Sequence, residues 1–122
     1  MHWWSVLGAP RHKLVLGQAA YGRSFLMGGA ALHRPGHPFL PAAAPPGPYS
    51  ATSGFLAYYE VCTLLQDQAW TRVWSNVSRV PYAYGLRDGQ WTWVAYEDTQ
   101  SMREKVETTT STVTFLRNIK YC

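Results

Sequence analysis

Acidic residues are scarce in this chain, seven against eleven Lys and Arg over 122 residues, which leaves a formal charge of +4 and a pI near 9.3. The cations do not form a block: Arg11, Arg23, Arg34, Arg72, Arg79, Arg87, Arg103 and Arg117 are scattered, which argues against a nucleic-acid partner. No apolar run reaches membrane-spanning length, so no membrane partner is expected. The first residues, Met1 to Gly8, also lack the basic start and long apolar stretch of a signal peptide. Metal-ligand spacing is missing too. His33 and His37 stand four apart, but Pro35 and Gly36 between them break the helix such a pair would need, and neither a metal nor another cofactor is expected.

Cysteine is nearly absent, with Cys62 and Cys122 the only two, able to pair or to remain buried thiols. Asn76-Val77-Ser78 fits the N-glycosylation acceptor pattern, a short pattern that also arises by chance. These two cues point to an extracellular protein and conflict with the missing signal peptide. The mismatch suggests a secreted-type domain without its leader and without part of its front.

What the chain does have is apolar and aromatic surface. Hydrophobic residues make up 47%, enough to bury the core of one small domain, and six Trp and eight Tyr leave rings for a carbohydrate- or partner-binding face unless packing absorbs them. The most informative stretch is Lys13 to Phe25. Leu14, Val15 and Leu16 suit a strand buried on both faces, Gly17 lets another backbone approach, and alternation sends Tyr21 and Arg23 to one side. An aromatic face and a guanidinium at a strand's carboxyl end suit a polar ring such as a sugar; a surface turn is the plainer alternative.

Met27 to Pro48 turns to Gly, Ala, Pro and His without periodicity, a loop long enough to wrap another surface. Gly54 to Asp67 then takes helical spacing, with Ser53 as N-cap, Tyr58, Val61, Cys62 and Leu65 on one face, and Glu60, Thr63 and Asp67 on another. Strands follow at Ala69 to Ser75, Ser78 to Tyr84 and, after the turn signal Arg87-Asp88-Gly89-Gln90, Trp91 to Tyr96. These make an antiparallel sheet with one helix, an α+β unit. Glu97-Asp98-Thr99 offers caps for a short helix, Ser101 to Glu107, that stops at the Thr-rich run from Thr108; Val113 to Tyr121 alternates as an edge strand would.

Several blocks stand in a telling order: Gly8-Ala9-Pro10, Lys13 to Gly17, Tyr21-Gly22-Arg23-Ser24-Phe25, Pro46-Gly47-Pro48-Tyr49, Leu56 to Cys62, Val80-Pro81-Tyr82-Ala83 and Trp93 to Asp98. Together they resemble the secreted chitinases and chitinase-like lectins of glycoside hydrolase family 18, from roughly Trp3 to Val106. The resemblance implies a fragment of a (β/α)8 TIM barrel carrying the family's α+β insertion domain. On that map residues 1–24 are a barrel segment with the seventh strand, 25–95 the insertion domain, 96–107 the start of the seventh helix, and 108–122 a divergent tail. Six barrel strands should precede it.

The resemblance also implies chemistry. The family's acid lies in an Asp-x-x-Asp-x-Asp-x-Glu motif, and the substrate's N-acetyl group attacks the anomeric carbon. No such spacing occurs here, and the adjacent Glu97 and Asp98 are sent apart by alternation or a cap, so no catalytic residue is assigned. Tyr21 and Arg23 match the Tyr-Gly-Arg motif that contacts the sugar or its acetamido group; Thr52 and Phe55 match positions lining the cleft, with Thr52 replacing a frequent acid. The implied partner is chitin or a chitooligosaccharide. The resemblance further implies that Cys62 pairs with Cys122. This chain alone should be inactive, a part of a chitin-hydrolysing enzyme, of a non-catalytic lectin, or of a truncated product.

Overall fold

The computed structural model describes residues 2–67 and 69–109. Its centre is a five-stranded sheet, antiparallel at every pairing, built from β1 (Tyr21–Leu26), β2 (Phe55–Ala57), β3 (Trp70–Ser75), β4 (Val80–Arg87) and β5 (Gln90–Ala95) in the spatial order β2-β1-β5-β4-β3. Three helices accompany it: α1 (His2–Val6), α2 (Tyr58–Gln66) and α3 (Thr99–Thr109). The α+β expectation holds.

Local chemistry explains the hairpins. Asp88 and Gly89 both take positive φ, 50° and 75°, the backbone twist that a two-residue turn between β4 and β5 requires. A four-residue turn, 76–79, links β3 to β4 and ends on Arg79 at φ 54°. The long loop after β1 is held to the sheet by backbone bonds, Leu40 N–H to Leu26 carbonyl at 2.9 Å and Met27 N–H to Trp91 carbonyl at 2.8 Å, and by an antiparallel bridge from Ala43 to Phe25.

The two faces of the sheet differ. Along β1, Gly22, Ser24 and Leu26 are buried while Tyr21, Arg23 and Phe25 are exposed, the period of two that a strand dictates. The buried face meets α2, and Leu56, Val61, Trp70, Ala83, Val94 and Tyr96 form the core, with Tyr58, Leu64 and Leu65 packed at its edge. Close approach of backbone to strand occurs at Gly22, where a Cβ would stand 2.7 Å from the Ala95 carbonyl oxygen. Gly17, expected to serve that purpose, has nothing within 4 Å.

Three further expectations are corrected. Leu14 to Leu16 lies in no strand; Val15 is 90% exposed, because among the described residues no neighbour stands beside it to supply a ladder or cover. The strand starts at Tyr21. The helix begins at Tyr58, not Gly54, because residues 55–57 are claimed by pairing with β1, and Ser53 lies in the preceding turn. Finally, Glu60, read on the face away from the apolar residues, is itself buried. The edge strand expected at Val113 to Tyr121 lies outside the described residues.

Candidate functional site

The register of β1 and β2 sets Arg23 opposite Phe55 and Tyr21 opposite Ala57, so Tyr21 and Phe55 are diagonal neighbours on the exposed face. Their rings stack with centroids 5.0 Å apart and planes 25° from parallel. The Arg23 guanidinium carbon lies 5.8 Å from the centroid of each ring, within the range where the ring quadrupole attracts a cation. Arg23 makes no ion pair or hydrogen bond among the described residues, so its planar donors are open to a ligand. Three of the four site residues read from sequence therefore come together.

Thr52 does not join them through its side chain. Its hydroxyl donates to the Ser50 carbonyl at 2.9 Å, while its own carbonyl accepts from the Phe55 N–H at 3.3 Å. It shapes the turn that delivers Phe55 to β2.

That turn hangs on Glu60, which the sequence reading placed on the face opposite the apolar one. Glu60 is 2% exposed, and its carboxylate accepts from the N–H groups of Ala57 at 2.7 Å, Tyr49 at 2.8 Å and Ser50 at 3.0 Å. Burial pushes this carboxyl up, but the N–H bonds from Ser50, Tyr49 and Ala57 outweigh it and hold the pKa down to about 2. Gly47 makes room: a Cβ there would stand 2.2 Å from the Glu60 carboxylate. Glu60 thus caps α2 and fixes the loop on which Thr52 and Phe55 stand. Its place three residues after Ala57 is the signal of a cap, visible once the helix start is known.

Glu97 and Asp98 hold the start of α3. Asp98 accepts from the Ser101 N–H at 2.9 Å, and the Ser101 hydroxyl accepts from the Asp98 N–H at 2.9 Å, a reciprocal cap at the start of α3. Asp98 also takes the Arg72 guanidinium at 2.5 Å. Glu97 bonds Lys105 and accepts from the Ser101 hydroxyl, so both adjacent carboxylates meet Ser101 at the start of α3. A cleft of about 300 Å³ lies beside this pair, on the α2 side of the sheet, lined by Tyr58, Trp70, Arg72 and Tyr96. Burial raises the Tyr96 hydroxyl above its ordinary range.

His33 stacks on Tyr84 at 4.3 Å, and among the described residues no three His, Cys, Asp or Glu side chains group as metal ligands would. Asn76 is exposed in the turn from β3 to β4, beside Val77 at 96% exposure. Cys62 is half-buried on α2; Cys122 lies outside the described residues.

Comparison with known proteins matches residues 1–112 to the model of the glycosyl hydrolases family 18. An endochitinase of Manduca sexta is 38% identical over 111 residues, 87% of this chain and 19% of its own length. A Group IV chitinase of Ostrinia furnacalis, solved in complex with allosamidin, superposes with a TM-score of 0.76 at 37% identity, over 88% of this chain and 28% of that one. Human YKL-39, described as a pseudo-chitinase with retained chitooligosaccharide binding, superposes with a TM-score of 0.73 at 34% identity over the same shares. The chain thus spans about a fifth of the curated relative's length.

Proposed function

The chain belongs to the glycosyl hydrolases of family 18, and on that premise we propose that Tyr21, Arg23 and Phe55 form one wall of a chitooligosaccharide cleft. The observation that carries this is the stacked ring pair with an unbonded guanidinium over it, exposed on one sheet face. Rings take the apolar face of a pyranose, and the guanidinium donates to an acetamido oxygen; the Tyr21 hydroxyl adds a donor and acceptor. Thr52 borders this wall.

The wall binds and orients; it supplies no proton donor. The Asp-x-x-Asp-x-Asp-x-Glu spacing is absent from the 122 residues, and Glu60 and Asp98 are committed to backbone and to Arg72. Within a full-length parent, residues 1–24 would serve as barrel segment, 25–95 as insertion domain and 96–107 as the start of a barrel helix, with hydrolysis of β-1,4-linked N-acetylglucosamine carried by an acid elsewhere. YKL-39, a pseudo-chitinase that keeps chitooligosaccharide binding, favours a second reading in which the parent is a lectin.

An extracellular setting accompanies this reading. Asn76 presents its acceptor pattern on an exposed turn, and Cys62 with Cys122 would close a loop worth roughly 4 kcal/mol in the chain-entropy model. Expression in a glycosylating host should add a glycan that Asn76→Gln removes, read by mass.

Titration calorimetry of the chain with chitohexaose, beside a hydrolysis assay of the same sugar, tests the function. Binding without turnover is expected. A folded sample that binds nothing overturns the wall, and turnover overturns the statement that no acid is present.

A further inference from the structure

The exposed face of β1 does not end at Arg23. Phe25 is next on the same side, and since a strand rises about 3.4 Å per residue, Tyr21, Arg23 and Phe25 form a row with steps of about 7 Å. Phe25 has its own stacked partner, Phe39 from the long loop, with centroids 4.7 Å apart and planes 16° from parallel. Trp93, opposite Phe25 in the register, packs obliquely against both rings at 6.1 and 5.1 Å. The row therefore carries two stacked aromatic pairs, Tyr21 with Phe55 and Phe25 with Phe39, on either side of one guanidinium.

We infer that Phe25 and Phe39 form a second pyranose-stacking platform, so that the face takes a longer run of β-linked N-acetylglucosamine than the Tyr21, Arg23 and Phe55 wall spans. This rests on the carbohydrate reading of that wall.

Exposure sets this pair apart from the core. Phe25 and Phe39 are each 38% exposed, close to the 40% of Tyr21, whereas Leu56, Val61 and Val94 are fully covered. The pair is also held in place. The bond from Leu40 N–H to Leu26 carbonyl and the bridge from Ala43 to Phe25 pin the loop just after Phe39. Behind them the Trp93 indole N–H donates to the His33 carbonyl at 3.0 Å, which anchors the loop from its other end. A ring fixed before binding loses little conformational freedom when a sugar stacks on it. Among the described residues no ion pair involves Phe25, Phe39 or Trp93, and the next residue on this face of β1 is Arg23.

The test titrates the full chain with chitobiose and with chitohexaose by calorimetry. The dimer fits the first wall alone, so the wild type should bind the hexamer more tightly. Phe39→Ala should weaken the hexamer about fivefold, the worth of one aromatic contact, and leave the dimer unchanged. Phe39→Leu should give the same loss because it keeps apolar bulk without a ring face, and Phe39→Tyr should restore binding. An unchanged hexamer affinity in both Phe39→Ala and Phe39→Leu, with Arg23→Ala still weakening both sugars, overturns the second platform and leaves the first wall standing. Absence of binding by the wild type overturns the wall itself.

Discussion

The two faces of the sheet use apolar residues for opposite ends. Under α2 the sheet presents Leu56, Ala83 and Val94, aliphatic and fully covered, and each is satisfied by close packing. On the other face β1 and β2 present Tyr21, Phe25 and Phe55 beside Arg23, rings that remain partly open. Aliphatic side chains interlock from every direction, whereas a ring offers a flat face that a second flat object can share. A cation over those rings would be costly in the core and is inexpensive at the surface. The contrast shows that hydrophobic content alone does not separate a core from a binding wall. Residue shape and the neighbouring charge do.

Mutation can break that contrast, and the core side should respond most. Leu56→Ala leaves a cavity beneath α2 and should cost about 2–5 kcal/mol in urea unfolding. A cost below about 1 kcal/mol would mean that the α2 face does not hold the fold.

Glu60 lies between the two regions, since it caps the core helix and holds the loop leading to Phe55. Its folded pKa, about 2, is below its usual 4.5, so the carboxylate's contribution is fully present above pH 4.5 and is lost as the pH falls through the folded value. That contribution is about 3 kcal/mol. Unfolding measured from pH 6 to pH 2 should show this loss in the wild type and not in Glu60→Gln, which should already be less stable at pH 6.

Asp98→Ala removes the cap of α3 and the partner of Arg72, with an expected cost of about 1–2 kcal/mol and a smaller helical signal in circular dichroism. An unchanged spectrum and midpoint would remove Asp98 from the structural account.

The wall should respond least in stability and most in binding. Arg23→Ala should change stability by no more than about 0.5 kcal/mol, and Tyr21→Ala by about 1 kcal/mol, yet each should weaken chitohexaose about tenfold. Unchanged binding in both would sink the site. A stability loss as large as that of Leu56→Ala would instead make these residues part of the core.

Legibility followed sequence separation. The hairpin from β4 to β5 was readable because Asp88-Gly89 supplies the turn within two residues and alternation flanks it. The start of α2 was not, because residues 55–57 satisfy a helical period and a strand equally well; pairing with Tyr21 to Arg23, some thirty positions away, decides between them. The burial of Glu60 was not legible for the same reason. Its three donors include Tyr49 and Ser50, brought by a loop whose path no local rule specifies. Leu14 to Leu16 has the composition of a buried strand, but composition does not supply the neighbour that buries it.

By itself the sequence determined the α+β character, the hairpin turns, and Tyr21 and Arg23 on one side of a strand, because turn chemistry and a period of two act over a few residues. Only the tertiary structure decided that Phe55 would stack on Tyr21, that Phe39 would stack on Phe25, and that Glu60 would be buried beneath the loop. Each of these depends on two distant segments meeting, through strand pairing or through loop hydrogen bonds that no local rule specifies.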